Sequence, residues 1–326
     1  MRQILQLWPL ACLLVGCAQE VEQVFSPVDA AASGLYFAND ITENDTFNIL
    51  DFEFVYNGGG VAAGDLNGDG LADLYFTGNT TANGLFLNQG DLRFADVTEA
   101  AGAGLANRWC SGATTVDVNA DGRLDLYVSA TTLAPASRRR NALLINLGND
   151  ENGTPRFEDR AAAYGLDHDG HNTQAAFLDY DRDGDLDVYL LIDEMINRNL
   201  PNRYLPIADD GSNPLNDRLL RNDPGPDGHP VFTDVTQAAG IRKGGYGLGI
   251  NVCDLNEDGW PDIYVTNDYL TNDLLWINNQ DGTFTDRAAA YFKHTAYSAM
   301  GNDVADLNGD GHDDLIALDM FPEDNP

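Results

Sequence analysis

The chain has 326 residues, with 52 Asp or Glu against 18 Lys or Arg, so its formal net charge is -34. This charge argues strongly against nucleic-acid binding, because phosphate groups are held by clustered Lys and Arg. Acidic chains can be disordered, but 43% hydrophobic and 10% aromatic residues indicate a packed core.

The N-terminus combines a short basic region with an apolar stretch. Arg2 precedes an apolar stretch over residues 4–15, which is too short to span a bilayer as a helix. The stretch ends in Leu14-Val15-Gly16-Cys17, which resembles a lipobox. The resemblance implies cleavage of residues 1–16, a lipid anchor on Cys17 and a tether over residues 17–33. Ala18 favours the outer membrane or cell surface, with membrane contact through the lipid only. An ordinary signal peptide that contains a cysteine is the alternative.

Two further cysteines belong to the predicted folded part. Cys110 and Cys253 lie in or next to the first strands of the second and fourth repeats described below. Those repeats are not neighbours, so a disulfide between them is unfavourable on geometry. We expect both to be buried free thiols.

A nonapeptide of the form D-x-[DN]-x-D-G-x-x-D occurs five times, starting at Asp65, Asp117, Asp179, Asp254 and Asp306. Oxygen side chains at positions 1, 3, 5 and 9 and a backbone carbonyl at position 7 suit a cation of Ca²⁺ size. Glycine at position 6 permits the sharp turn. The predicted calcium ligands are Asp65, Asn67, Asp69, Leu71 and Asp73; Asp117, Asn119, Asp121, Arg123 and Asp125; Asp179, Asp181, Asp183, Asp185 and Asp187; Asp254, Asn256, Asp258, Trp260 and Asp262; and Asp306, Asn308, Asp310, His312 and Asp314.

The flanks of the nonapeptide distinguish it from an EF-hand loop. An EF-hand needs Glu at position 12 and a helix on each side, whereas position 12 here is Phe76, Val128, Leu190, Val265 and Ala317. The flanking residues are typical of strands. We therefore predict β-hairpin loops closed by calcium. An acidic turn without metal is the alternative, but its crowded carboxylates would repel one another.

The nonapeptide is part of a longer repeat, since its copies are 52, 62, 75 and 52 residues apart. The segments that start at Asn83, Asn141, Asn216 and Asn272 also resemble one another. Each unit predicts four strands: a strand rich in small residues before the loop, one after it, and two more. This pattern predicts an all-β fold, a β-propeller of four-stranded blades with calcium-binding hairpin loops.

The units resemble the FG-GAP/VCBS blades of integrin α-chain propellers and their bacterial relatives over residues 34–326. The stretches at residues 57–70, 297–311 and 318–324 resemble more closely the N-terminal part of bacterial ASPIC/UnbV, cartilage-acidic-protein-like lipoproteins. This resemblance implies a propeller with five visible repeats that continues in a longer protein. The ASPIC/UnbV segment itself is not in the sequence, so nothing it does is carried over.

The fifth repeat is incomplete, because the sequence ends at Pro326 soon after its second strand. Either further blades follow, or residues 35–56 supply the outer strands of the last blade. The first arrangement is favoured.

Four-stranded antiparallel blades place all calcium hairpins on one face. The opposite face then collects residues 138–140, an insertion over residues 194–215, and the candidate ligand-binding residues. These are Arg108, Trp109, His168, His171, Arg242, Lys243, Tyr246, Lys293, His294 and Tyr297. Resemblance to integrin propellers implies that partners dock here; polar loops without a ligand are the alternative. His168 and His171 could also start a transition-metal site, but no third ligand is specified.

The favoured function is that of a non-enzymatic, calcium-stabilised propeller at the bacterial surface that binds a protein or a glycan. A glycan-cleaving hydrolase or lyase is the alternative. It needs paired carboxylates outside the calcium loops, for which Asp167, Asp169 and Glu194 are candidates. A scaffold domain of a larger envelope protein is the third possibility.

Overall fold

A computed structural model describes residues 25–45, 48–50, 55–132, 135–193, 208–214, 216–226, 228–268 and 271–320. Cys17, the predicted signal peptide and residues 194–207 of the insertion lie outside these residues. Within the described part, no helix has the length and apolar character needed to cross a membrane.

The described strands form five antiparallel sheets in chain order. The first contains β1 (Val61–Gly64), β2 (Asp73–Phe76), β3 (Gly84–Asn88) and β4 (Phe94–Asp96). The second contains β5 (Cys110–Val116), β6 (Asp125–Ala130), β7 (Ala142–Asn149) and β8 (Pro155–Asp159). The third contains β9 (Asn172–Leu178), β10 (Asp187–Ile192), β11 (Arg218–Pro224) and β12 (Pro230–Asp234). The fourth contains β13 (Gly247–Cys253), β14 (Asp262–Asn267), β15 (Leu274–Asn278) and β16 (Phe284–Asp286), and the fifth β17 (Ala299–Ala305) and β18 (Asp314–Asp319).

In the described part of the chain, helical structure is limited to single turns. They are α1 (Ala30–Ser33), α2 (Thr98–Ala101), α3 (Ala161–Tyr164), α4 (Ala288–Tyr291) and a 3-10 turn (Ala136–Arg138). Three of them, α2, α3 and α4, follow the fourth strand of a sheet. They are the alanine-rich ends of the repeats.

The sheets are blades 1 to 5 of a β-propeller, which confirms the predicted fold class. In each complete blade the strands follow one another as a meander, and in blade 5 the described residues form two strands. First strands of successive blades contact each other, from β1 to β5, β9, β13 and β17. Four blades are therefore complete within the residues that the structure describes.

Small residues in the first strands allow this close approach. A Cβ atom added to Gly60 would lie 2.8 Å from the carbonyl oxygen of Ser111 in the next blade, and one added to Gly112 would lie 2.7 Å from that of Thr173. Blade 3 has Gln174 at the equivalent place. The predicted reason for small residues thus holds between blades 1 and 2 and between blades 2 and 3.

The core lies between adjacent blades. The second strand contributes a buried tyrosine in each complete blade, Tyr75, Tyr127, Tyr189 and Tyr264. Its hydroxyl hydrogen-bonds to the side chain just before the third strand, at 2.7 or 2.8 Å: Asn83, Asn141, Asp217 and Asp273. The repeat register taken from Asn216 and Asn272 is therefore wrong by one residue, because the acids that follow them occupy the asparagine position.

Both cysteines of the folded part are free, as predicted, but only Cys110 is fully buried. Cys253 is partly exposed, which corrects the expectation for that residue. Burial raises the pKa of each thiol to about 11, so neither is a reactive thiolate near neutral pH.

The segment before β1 packs against blade 1. Phe37 stacks on Phe76 with ring centroids 5.2 Å apart, and the Asn39 side chain exchanges two hydrogen bonds with Asn79, at 2.6 and 2.9 Å. These residues cover the side of blade 1 that faces away from blade 2. They do not supply strands to blade 5, so these residues do not support closure by strand exchange.

The calcium-type loops and the opposite face

The five nonapeptides connect the first and second strands of the five blades, so they lie on one face of the propeller. Hairpin pairing begins at the last loop residue: Gly64 pairs with Asp73 and Val116 with Asp125. The structure thus places every predicted loop residue in a β-hairpin connection. Helices do not flank any of these loops in the described residues, which agrees with the distinction from an EF-hand.

The first aspartate organises the loop around its own carboxylate. Asp65 Oδ1 accepts hydrogen bonds from the backbone N–H groups of Gly68 (2.7 Å) and Asp69 (3.0 Å), and Oδ2 accepts one from Gly70 (2.8 Å). The bond from the glycine at position 6 recurs in the other loops, at Asp117, Asp179, Asp254 and Asp306. Oxygen atoms at the first position are therefore directed into the turn.

Two loop positions have left-handed backbone, whereas the sequence pattern predicted only one, the glycine at position 6. Glycine at position 6 has φ between 84° and 100° in the loops of blades 2 and 3, at Gly122 and Gly184. Position 4 is also left-handed, although it holds Ala120 (φ 54°), Arg182 (φ 61°) and Glu257 (φ 58°). Glycine at position 4 of loops 1 and 5 is the feature of the sequence that indicates left-handed backbone at this position.

The aspartate at position 9 connects the loop to the third strand. Asp125 is fully buried; its Oδ2 accepts from Val118 N–H (3.2 Å) and its Oδ1 from Asn146 N–H (2.7 Å). Asp73, Asp187 and Asp262 make the equivalent pair of bonds. Burial raises the pKa of Asp125 and Asp262 to about 6 and that of Asp187 to about 7. These carboxylates are both structural acceptors and candidate ligands.

Loop 3 has the strongest features of a cation site. One carboxylate oxygen from each of Asp179, Asp181 and Asp187 lies within 4.8 Å of the others. Oδ1 atoms of Asp179, Asp181 and Asp185 are buried and have no hydrogen-bond partner within the described residues. Burial, followed by the charges of Asp183, Asp181 and Asp179, raises the pKa of Asp185 to about 6. This donor set fits a hard cation, which would satisfy the unpaired oxygens and offset their repulsion.

Neighbouring loops contact each other along the face. The Arg182 guanidinium lies 5.0 Å from the centre of the Trp260 ring, and His312 Nδ1 contacts the carboxylate of Glu257. Each contact joins position 4 of one loop to position 7 of the next. Trp260 and His312 thus direct their side chains to the adjacent loop, which leaves the backbone carbonyl as the predicted ligand at position 7.

Two of the ten candidate ligand-face residues belong to the interior. Trp109 and Tyr246 are 4% and 7% exposed, so the prediction that they present a docking surface is wrong. Aromatic residues in these linking segments pack beneath the face, where they remove apolar area from water. The sequence could not separate the two roles, because Tyr297 in a similar segment is 74% exposed.

Two cations of the set anchor the linking segments to the fourth strands. Arg108 pairs with Asp159 at 2.7 Å and Lys243 pairs with Asp286 at 2.9 Å. Both aspartates are the last residues of a fourth strand, β8 and β16. These ion pairs fix the path of the chain between blades. Arg242 remains in the linking segment, and its carbonyl accepts a hydrogen bond from Gly211 N–H (3.1 Å).

The two histidines engage separate groups. His168 Nδ1 lies 2.9 Å from Asn172 Oδ1, and burial lowers the pKa of this imidazole. His171 Nδ1 lies 3.3 Å from Thr131 Oγ1. Asp167, a candidate for the glycan-cleaving alternative, is ion-paired with Arg140. A joint transition-metal site is therefore not favoured.

A cavity of about 680 Å³ lies beside blades 4 and 5. Lys243, Lys293, His294 and Tyr297 all line it. The structure thus brings together four of the ten predicted residues and separates them from the two histidines of blade 3.

Comparison with curated proteins finds no match to this sequence. A solved structure of an Agrocybe aegerita lectin that recognises non-reducing terminal N-acetylglucosamine is similar, with 18% identity and a TM-score of 0.42. The match covers 78% of this chain and 60% of the lectin chain, so it spans less than two thirds of that protein. At this level of similarity, the ligand of the lectin does not indicate the ligand of this chain.

The FG-GAP-like repeat family matches residues 65–128 and 254–317. Both ranges start at the first aspartate of a loop, and they end in β6 and β18. This confirms the repeat part of the predicted resemblance, whereas the lipoprotein and ASPIC/UnbV parts stay predictions. The chain contains FG-GAP-like repeats that form blades of a β-propeller.

Proposed function

We propose that this protein is a calcium-stabilised β-propeller that acts as a binding module, with its partner on the face opposite the loops. Loop 3 gives the strongest support for the calcium part of this proposal. There, buried oxygens of Asp179 and Asp181, at positions 1 and 3, lack hydrogen-bond partners within the described residues, and unpaired buried carboxylates are costly. The side chains at positions 1, 3, 5 and 9 and the carbonyl at position 7 would hold the ion.

The role of calcium in this proposal is structural. An ion held by Asp187 or Asp262 would join the hairpin to the third strand, because these carboxylates accept N–H groups from both. For a Kd of about 10⁻⁴ M and free calcium of about 10⁻³ M, each site adds roughly 1.4 kcal/mol to stability. Five independent sites would add about 7 kcal/mol, which is comparable to the net stability of a domain.

The binding role is assigned to the opposite face, because the exposed residues Lys293, His294 and Tyr297 line a cavity there. We infer a protein or glycan partner and no catalytic step. In the same proposal, Cys17 carries a lipid that holds the propeller at the outer membrane or cell surface.

The test combines metal analysis with thermal unfolding of the purified chain. We expect bound calcium after dialysis, and a melting temperature that falls by more than about 10 °C in excess EDTA and recovers with added calcium. Absence of calcium together with an unchanged melt in EDTA would overturn the calcium part.

Pull-down and glycan-array screening with calcium present test the binding part. For the anchor, mass spectrometry of the membrane fraction should find a lipid on Cys17 that the C17S variant lacks.

A further inference from the structure

The cavity of about 680 Å³ has the size of a small-ligand site. Its walls come from the β14–β15 connection (Thr271 and Asn272), the end of β16 (Asp286), α4 and residues 292–297. These elements belong to blade 4 or to the segment that leads into blade 5. Lys243, from the segment that leads into blade 4, and Asp209, from the insertion of blade 3, also line the cavity. The cavity lies on the face opposite the calcium-type loops.

Lysine is concentrated at this cavity. The whole sequence contains two lysines, Lys243 and Lys293, and both line it. Lys243 is neutralised by Asp286 at 2.9 Å. Lys293 is exposed, and the described residues give it no ion-pair partner although the chain carries 52 acidic residues. An ammonium group is therefore available at the cavity wall for an anionic group of a ligand.

The other lining residues offer groups that recognise sugar rings. Tyr297 is 74% exposed, so its ring can stack on the apolar face of a pyranose. Asn272, His294 and Asp209 also line the cavity and can donate or accept hydrogen bonds to hydroxyl groups. This mixture of one aromatic platform with several polar groups is suited to a compact polar ligand.

We propose that this cavity binds a saccharide that bears a carboxylate, with Lys293 paired to the carboxylate and Tyr297 stacked on the ring. The inference rests on the proposed function and names the ligand class of its binding face. One carboxylate is favoured over a highly charged polymer, because a protein of net charge -34 repels polyanions. Asp209 on the same wall is better matched by sugar hydroxyls than by a second anionic group.

The test is titration of the full chain, in calcium-containing buffer, with methyl glucuronoside and methyl galacturonoside and with their neutral counterparts, methyl glucoside and methyl galactoside. Ligand-observed NMR gives the dissociation constants. At least one acid should bind about tenfold more tightly than its neutral counterpart, because a charge-assisted pair adds to the contacts that both share. This preference should shrink as salt is raised.

Two variants assign the contacts. K293M should abolish the preference for the acid and leave the weaker binding of the neutral sugar, whereas Y297A should weaken both about fivefold or more. Matched controls are R93M and Y36A, which change an exposed cation and an exposed tyrosine on blade 1 and on the segment before it. Both controls should bind like the unchanged protein.

The inference is overturned if neither acid binds below about 10 mM, if acid and neutral sugars bind equally, or if K293M keeps the preference. Should EDTA destabilise the protein and screening capture a partner while no acid binds, the proposed function stands and this ligand class is wrong. Conversely, Lys293-dependent binding of an acid together with a melt unaffected by EDTA would support this site and overturn the calcium part of the proposal.

Discussion

Blades 4 and 5 contain the same nonapeptide between the same pair of strands, but the aspartates at position 9 differ in environment. Asp262 of blade 4 is fully buried and accepts hydrogen bonds from Leu255 and Asn278 N–H. Asp314 of blade 5 is partly exposed and, among the described residues, accepts one hydrogen bond, from Leu307 N–H (3.1 Å). An identical loop pattern thus acquires a different environment from the strands beside it.

The third strand accounts for this difference. Asn278, the last residue of β15, donates its N–H to Asp262, and its side-chain amide donates to carbonyls of Pro261 (3.3 Å) and Tyr180 (2.8 Å). It therefore joins its own loop to the loop of blade 3. Within residues 299–320 of blade 5, β18 has only β17 as a strand neighbour, and Ile316 and Leu318 are exposed. In a complete blade, the loop is therefore bonded both within its own hairpin and to the third strand.

The largest expected effect is a difference between D262N and D314N. In D262N, the new amide would offer one oxygen to two N–H donors and place its NH₂ group against the second, so we expect a loss of about 3 kcal/mol. For D314N, the amide oxygen can keep its hydrogen bond while the NH₂ group faces water, so beyond the roughly 1.4 kcal/mol of ion binding that either variant can lose, the loss should be below about 1 kcal/mol. Urea midpoints in calcium buffer measure both. Since each variant removes one proposed ligand, equal losses would show that calcium coordination, and not the third strand, dominates.

A second difference between complete blades and blade 5 is the buried tyrosine pair. Ile316 occupies the place of the second-strand tyrosine in blade 5. In blade 3, Tyr189 donates to Asp217 Oδ2 (2.7 Å) and Asp217 Oδ1 accepts from Ile192 N–H (2.9 Å). Burial raises the pKa of Asp217 to about 7. Between about pH 4 and 7, the folded protein therefore holds a proton that the unfolded chain has already released. The stability that this bound proton contributes is lost as pH rises through 7.

We accordingly predict that D217N removes a pH-dependent cost. Blades 1 and 2 have asparagine at this position, where Asn141 donates to Tyr127 and Tyr127 donates to a carbonyl oxygen. Compared with the unchanged protein at each pH, D217N should gain roughly 1–3 kcal/mol in relative stability between pH 5 and pH 8. Urea unfolding at the two pH values measures the change. N141A, which deletes the side chain in blade 2, should show no such slope, and a flat difference for D217N would contradict the buried protonated acid.

The sequence was sufficient for those features that follow from local chemistry. Five loops with the same spacing predicted the hairpins and their common face, and small residues at Gly60 and Gly112 predicted close first strands. Long-range burial could not be predicted. Trp109 looked like an exposed residue because it lies in a linking segment, but its side chain is buried in the folded protein. The left-handed backbone of Arg182 was missed although glycine at position 4 of loops 1 and 5 indicates this conformation.

The smallest expected effect concerns position 4 of loops 3 and 4, which join blade 4 to its two neighbours. Both Arg182 and Glu257 adopt left-handed backbone, which asparagine tolerates better than arginine or glutamate. E257N loses only an exposed contact with His312, so we expect a gain of about 0.5 kcal/mol. R182N also loses the cation–π contact with Trp260, worth about 0.5–1 kcal/mol, so its stability should stay within about 0.3 kcal/mol of the original. Thermal unfolding in calcium buffer measures both variants. A gain for R182N as large as that for E257N would mean that the Arg182–Trp260 contact contributes nothing to the junction between blades 3 and 4.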